Sequence, residues 1–134
     1  MAAANQTKRG QGKQVEQLLA HLCGDWMTQN NWIALNKRTS PTWIPVLVHG
    51  MFYGLSFIVT SLAFDSPEMR SLMPLAFIVS THILVDRFNI ASLWVRAYNW
   101  QWDGDRPNVP NFVLLCCDQS IHLWLNAIAL HYLS

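Results

Sequence analysis

Charge is what this sequence has least of. Asp, Glu, Lys and Arg together make up 13% of the 134 residues, about half the share usual in a soluble domain. The formal net charge is only +1. A chain so nearly neutral has no field with which to gather a polyanion, and its one basic cluster is the short arm Lys8, Arg9 and Lys13, which excludes nucleic acid as a partner. Cysteine is scarce too. Cys23, Cys116 and Cys117 are odd in number and two are adjacent, so they exclude a disulfide framework and read as reduced, buried small residues. The opening stretch "MAAANQTKRGQGKQ" lacks the apolar core of a secretory signal, so the N-terminus is expected in the cytoplasm. Residues 1–13 are expected to form a disordered basic arm, and residues 14–134 a single helical membrane domain with no room for a second core.

Apolar surface is what the chain has in excess. Hydrophobic residues reach 51% and there are seven Trp, a composition that points to a membrane. From Thr39 to Phe64 there is no charged residue, and the run exceeds the roughly 20 residues that cross a bilayer. Pro41 and Pro45 fall in its first turns, where proline is tolerated. The run from Ser71 to Val85 is short, but it crosses if Glu68, Arg70 and Arg87 sit at the interfaces. A third run, Phe112 to Leu133, crosses if Asp118 is accommodated. Ahead of these, Val15, Leu18, Leu19, Leu22, Trp26 and Ile33 recur at helical spacing opposite Glu16, His21, Asp25, Gln29 and Asn36, which predicts an amphipathic helix. The expected fold is therefore all-α: an integral membrane helical bundle of one amphipathic helix and three transmembrane helices.

With that topology Lys8, Arg9, Lys13, Lys37, Arg38, Arg87, Arg96 and Arg106 lie on one side, and Asp65, Glu68 and Arg70 on the other. The positive-inside rule makes the basic side cytoplasmic, in the inner membrane of a bacterium. Trp43, Trp94, Trp100 and Trp102 fall at the same interface. "NIASLWVRAYNW" suits a surface helix, and "DGDRPNVP", with Asp103 and Asp105 as turn residues, a loop.

Chemistry enters through three pairs at one spacing. His21 and Asp25, His82 and Asp86, and Asp118 and His122 are each four residues apart, on one helical face. His49 adds an imidazole on the second helix. A single pair is most simply a hydrogen-bonded pair, but an ionised Asp in hydrocarbon costs several kcal/mol without a partner. Antiparallel helices bring His49, His82, Asp86, Asp118 and His122 to one level near the cytoplasmic interface, and the first helix can deliver His21 and Asp25 there. Neutral His and carboxylate are ligands for one or two Zn, Mn or Fe ions. The bland alternative is a polar network that fixes helix register. Gln29, Gln119 and Asn126 extend the polar faces and are candidates for orienting ligands. Cys117 points away around the helix, and His131 belongs at the far interface.

These residues give the chain a resemblance. "HLCGDWMTQNNWIALNK" (His21, Asp25, Gln29, Lys37), His49, "THILVD" (Thr81, His82, Asp86) and "DQSIH" (Asp118, Gln119, His122) look like the recurring motifs of a family of small bacterial and phage membrane proteins of unknown function. The likeness runs from about Leu18 to the C-terminus. Its layout is similar to predicted inner-membrane metal-dependent hydrolases. One departure is that related chains often carry a Lys soon after the acid of "THILVD", whereas this one has Arg87 and then a Trp-rich insertion.

Two functions compete. A membrane hydrolase would use the metal near headgroup level on a lipid or phosphate or ester substrate, with Asp25, Asp86 or Asp118 as general base. The alternative is a non-enzymatic interaction protein, phage-encoded for example, binding membrane lipid, a second copy or another membrane protein. A channel is disfavoured, because "SFIVTSLAF", "SLMPLAF" and "NAIALHYL" offer only scattered Ser, Thr and Asn for the far leaflet.

Overall fold

The computed structural model describes the backbone of residues 2–99, 102–103, 106–107 and 109–134, and the side chains of residues 12–98 and 109–134. Helix α1 covers Ala2–Leu22, so the backbone is helical from Ala2, across the stretch expected to be an arm. A single π turn, Cys23–Met27, follows. Asn30 then caps α2 (Asn31–Asn36), its side-chain oxygen accepting from the Ile33 N–H at 2.9 Å. The one amphipathic helix expected over residues 14–38 is therefore two helices with a distorted joint.

Helix α3 (Ile44–Phe64) starts with Pro45 in its first turn. It stops at Asp65, whose left-handed backbone (φ 53°) lets the Ser66 N–H close on Ser61 O at 2.9 Å before Pro67. A short 3₁₀ turn, Pro67–Arg70, leads to α4 (Leu72–Phe88). Asn89, also left-handed (φ 51°), turns the chain by 62° into α5 (Ile90–Asn99) and accepts a hydrogen bond from Ser92. A two-residue antiparallel pairing joins β1 (Trp102–Asp103) to β2 (Arg106–Pro107), ahead of α6 (Asn111–Tyr132). Asp105, Trp100, and the side chains of Lys8, Arg9, Trp102, Asp103 and Arg106 lie outside the described residues.

Apart from that pairing the described fold is all-α. Helix α3 with 21 residues and α6 with 22 are long and apolar enough to cross a membrane, at about 1.5 Å per residue matching a ~30 Å core. Helix α4, with 17 residues, does not reach that length alone. Together with α5, bent from it by 62°, it passes as a broken span or re-entrant pair, so the described residues hold two candidate spans, or three if the bent pair is one.

The bundle is sorted inside out. Met51, Leu62, Leu72, Met73 and Trp124 are largely exposed, while His21, Asp25, Lys37, His49, His82, Asp86, Asp118 and His122 are buried. Cys116 is exposed and Cys23 and Cys117 are half-buried, all three free, so the thiols are not core residues. Gly50 and Gly54 let α3 and α4 close up. A Cβ at these positions would stand 2.5 Å from Ile83 and 2.7 Å from Val79, so the spacing familiar from paired membrane helices is used within the chain. Tyr53, Phe57, Met69, Ile78 and Ala129 fill the interior towards the Pro67–Arg70 end.

Helix α1 lies lengthwise against α3 and α6. Gln17 donates to Leu123 O, Glu16 pairs with Ser66, and the Lys13 ammonium meets Glu68 at 2.5 Å. Lys13 is thus at the Glu68 end and not with Lys37, Arg38 and Arg87. That ion pair removes Lys13 from the charge argument for a cytoplasmic N-terminus. At the opposite end Arg87 lies over the Trp43 ring, 5.2 Å from its centroid, and reaches the carbonyls of Lys37 and Arg38.

Candidate metal centre

Six elements deliver the cluster. Helix α1 brings His21, the π turn Asp25, α3 His49 and Tyr53, α4 His82 and Asp86, α6 Asp118 and His122, and the end of α2 Lys37. In α3, His49 and Tyr53 share a face because they are four residues apart. His82 then stacks flat on Tyr53, with ring centroids 3.6 Å apart at 11°.

The π turn decides what Asp25 does. Its extra residue breaks the register that would stack Asp25 under His21. Gly24 lets the turn press against α3, since a Cβ there would lie 2.8 Å from the Tyr53 ring. Asp25 is thereby turned to His49, whose Nε2 is 3.1 Å from its Oδ1. Of the three sequence pairs, His82 and Asp86 stand closest, Nε2 to Oδ2 3.4 Å, and His122 and Asp118 are 4.0 Å apart. Contacts also run between helices: His49 Nε2 is 3.2 Å from Asp86 Oδ2, tighter than either of those pairs, and His122 Nε2 is 3.9 Å from Asp86 Oδ1.

Two sets of ligand atoms could hold a metal ion. Asp25, His49, His82 and Asp86 each offer one atom within 4.8 Å of all the others, and so do Asp25, Asp118 and His122. Bonds of ~2.0–2.1 Å in a tetrahedron put neighbouring donors about 3.3 Å apart. The 3.1–3.4 Å separations around His49 Nε2 and Asp86 Oδ2 fit that edge length. The donors are also unspent, for His82 Nε2, His122 Nε2 and Asp86 Oδ1 are buried without a hydrogen-bond partner. Each such atom costs about 1–3 kcal/mol unless something satisfies it. Asp25 belongs to both sets.

His21 has a different place in the cluster. Its Nδ1 is 2.6 Å from the Tyr53 hydroxyl and its Nε2 2.8 Å from Gln119 Oε1. The directions follow from the ends of the chain. Gln119 Nε2 donates to Asp25 Oδ2 at 2.5 Å, so its carbonyl oxygen must accept from His21 Nε2–H. Nδ1 then accepts from Tyr53, which in turn accepts from Asn126 Nδ2 at 2.7 Å. Burial pushes the His21 pKa down, in keeping with a neutral ring. Burial alone pushes the Asp25 carboxyl up, but hydrogen bonds from His49 and Gln119 and the nearby positive charges outweigh it and hold it well below the usual range.

Lys37 and Tyr53 were not among the expected site residues. Lys37 is buried, with Nζ 2.9 Å from Asp86 Oδ2 and 4.0 Å from Asp25 Oδ1. Tyr53 carried a signal, four residues after His49. Lys37 carried one only as a member of the recurring motif, since its charge alone assigns it to the interface. Arg38 meets Asp118 Oδ1 at 3.5 Å on the rim. Gln119 and Asn126 do orient cluster members, whereas Gln29 Oε1 has no partner.

No curated protein and no solved structure matches the chain. A family pattern does match, over residues 14–134, a range that holds every member of the cluster. The chain therefore belongs to the family described as Protein of unknown function (DUF3307).

Proposed function

We propose that the protein is an integral protein of the bacterial cytoplasmic membrane that binds one or two divalent ions of the Zn, Mn or Fe type and hydrolyses a phosphate or other ester at headgroup level. The observation that carries this is the set of buried, unpartnered donors, His82 Nε2, Asp86 Oδ1 and His122 Nε2, converging from α4 and α6. A chain with this much apolar exterior and a polar interior suits lipid as its solvent. The end bearing Lys37, Arg38 and Arg87 faces the cytoplasm by the positive-inside rule.

The two ligand sets differ in a way that supports catalysis. Asp25, His49, His82 and Asp86 make a closed four-ligand set, while Asp25, Asp118 and His122 supply three ligands and leave a position open, as catalytic sites do. A bound ion there would polarise the ester and lower the pKa of water. Among the three acids, Asp25 and Asp86 are held by His49, Gln119 and Lys37. Among the described residues Asp118 has only the 3.5 Å and 4.0 Å contacts to Arg38 and His122, so it is the acid least engaged by the protein and the one most available to the three-ligand set.

The position of Lys37 favours a second reading. An ammonium 2.9 Å from Asp86 neutralises charge as an ion would, so the cluster could instead be a register-fixing network in an interaction protein. Elemental analysis of the chain purified in detergent, beside an Asp118→Asn, His122→Ala variant, separates the two. About one or two ions per wild-type chain are expected. A wild type without stoichiometric metal, together with a variant that folds and functions normally, sinks the hydrolase. Release from membranes by a carbonate wash would sink the spanning helices.

A further inference from the structure

Beside the cluster the surface opens into a cleft of about 230 Å³ whose wall includes Asp25, Trp26, Gln29, Lys37, Arg38 and Asp118. A second hollow of about 240 Å³ adjoins it across Arg38 and Asp118. Most polar groups of the cleft wall are engaged elsewhere, Asp25 by His49 and Gln119 and Lys37 by Asp86. Two are not. Gln29 Oε1 is a buried acceptor with no partner. The Arg38 side chain is 37% exposed, and of the five donors an arginine carries only one reaches an acceptor among the described residues, the 3.5 Å contact to Asp118 Oδ1.

The charge balance adds a sign. With neutral imidazoles, Asp25, Asp86 and Asp118 outnumber Lys37 and Arg38 by one negative charge. A divalent ion would turn that into an excess of one positive charge, with Arg38 on the cleft wall.

We infer that this cleft is the binding site for a phosphate ester whose alcohol carries a free hydroxyl, Arg38 taking the phosphate and Gln29 the hydroxyl. The inference rests on the metal-hydrolase reading for its charge balance and goes beyond it in naming the substrate class. A guanidinium fork matches two phosphate oxygens. These displace Asp118 from Arg38 and leave that carboxylate to the Asp25–Asp118–His122 set. A hydroxyl on the alcohol side donates to Gln29 Oε1, a demand that a simple carboxylate ligand does not meet. Trp26, 55% exposed at the mouth, offers an apolar wall to whatever follows the alcohol.

The test uses the full chain in detergent with its metal content measured first. Calorimetric binding is then compared for glycerol 1-phosphate, inorganic phosphate and vesicles of phosphatidylglycerol, with wild type, Arg38→Gln and Gln29→Leu. The expected result is binding of at least one hydroxylated phosphate ester, weakened about tenfold or more by Arg38→Gln. Gln29→Leu should weaken glycerol 1-phosphate while leaving inorganic phosphate unchanged. Binding of the soluble ester assigns a soluble source, and binding of the vesicles alone assigns a lipid headgroup. The inference is overturned if neither ester binds, or if Arg38→Gln, with wild-type metal content, binds as well as wild type. If wild type holds no metal, the hydrolase fails separately. Arg38-dependent binding would then still support the site, and its absence would overturn it.

Discussion

Towards the Pro67–Arg70 turn, Phe57, Met69, Ile78 and Ala129 close the bundle with apolar contacts, and Ser61 and Ser66 satisfy each other's backbone at the end of α3. Towards Trp43 and Arg87 the same helices, α3, α4 and α6, enclose four imidazoles, three carboxylates and an ammonium, several of whose polar atoms have no protein partner. One end is what a helical bundle needs in order to fold. The other carries groups that folding alone would not select, since each unsatisfied buried atom works against it. The contrast locates function without reference to any relative.

Substitution can break the contrast at its strongest point. Asp86→Ala takes the nearest carboxylate from the buried Lys37 and leaves His49 with Asp25 alone, and should cost roughly 3–5 kcal/mol and remove the metal, read by thermal unfolding in detergent and elemental analysis. Replacing both charges, Lys37→Met with Asp86→Leu, should recover most of the melting temperature and none of the metal. Recovery of both would mean that the cluster is structural. At the apolar end Phe57→Ala should also cost about 3–5 kcal/mol, but ions per folded chain should stay at the wild-type value.

Smaller effects sharpen the division. Gly24→Ala forces the π turn off the Tyr53 ring and displaces Asp25, so metal affinity measured by competition with a chelator should fall about 10–100-fold. Gln119→Leu cuts the hydrogen-bonded chain from His21 to Asp25 and should fall within the lower part of that range, with stoichiometry unchanged. Acidification gives the mildest signal. The His21 pKa is lowered on folding from 6.5, so below pH 6.5 the unfolded chain binds more protons than the folded one. The metal-free protein should therefore lose stability as pH falls below 6.5, and His21→Gln should flatten that slope in urea titrations.

Much of this was legible in the residues. The uncharged run ending at Phe64 and the run from Phe112 are helices α3 and α6, each of the roughly 20 apolar residues that length and composition marked as a helix able to cross a membrane. The common level of His49, His82, Asp86, Asp118 and His122 follows from antiparallel connection and a fixed rise per residue. Less was legible near α1. Its exposed Val15, Leu18 and Leu19 show an apolar stripe facing outward, the reverse of the rule in water, so periodicity found the helix but not its buried side. Lys13 at the Glu68 end and Lys37 inside the cluster were hidden for one reason: a lysine's charge argues for an interface until a buried carboxylate is known to await it.

The sequence by itself determined that this chain is helical, apolar outside the polar pairs, and supplied with His and Asp at one depth. Side-chain spacing fixes direction around a helix's own axis, and that suffices for such statements. Only the tertiary structure decided that Asp25 answers to His49 while His21 answers to Tyr53 and Gln119, and that Lys37 closes the ring. Those partnerships depend on a register shift at one π turn and on how near Gly24, Gly50 and Gly54 let the helices approach, distances that are set between helices and not along them.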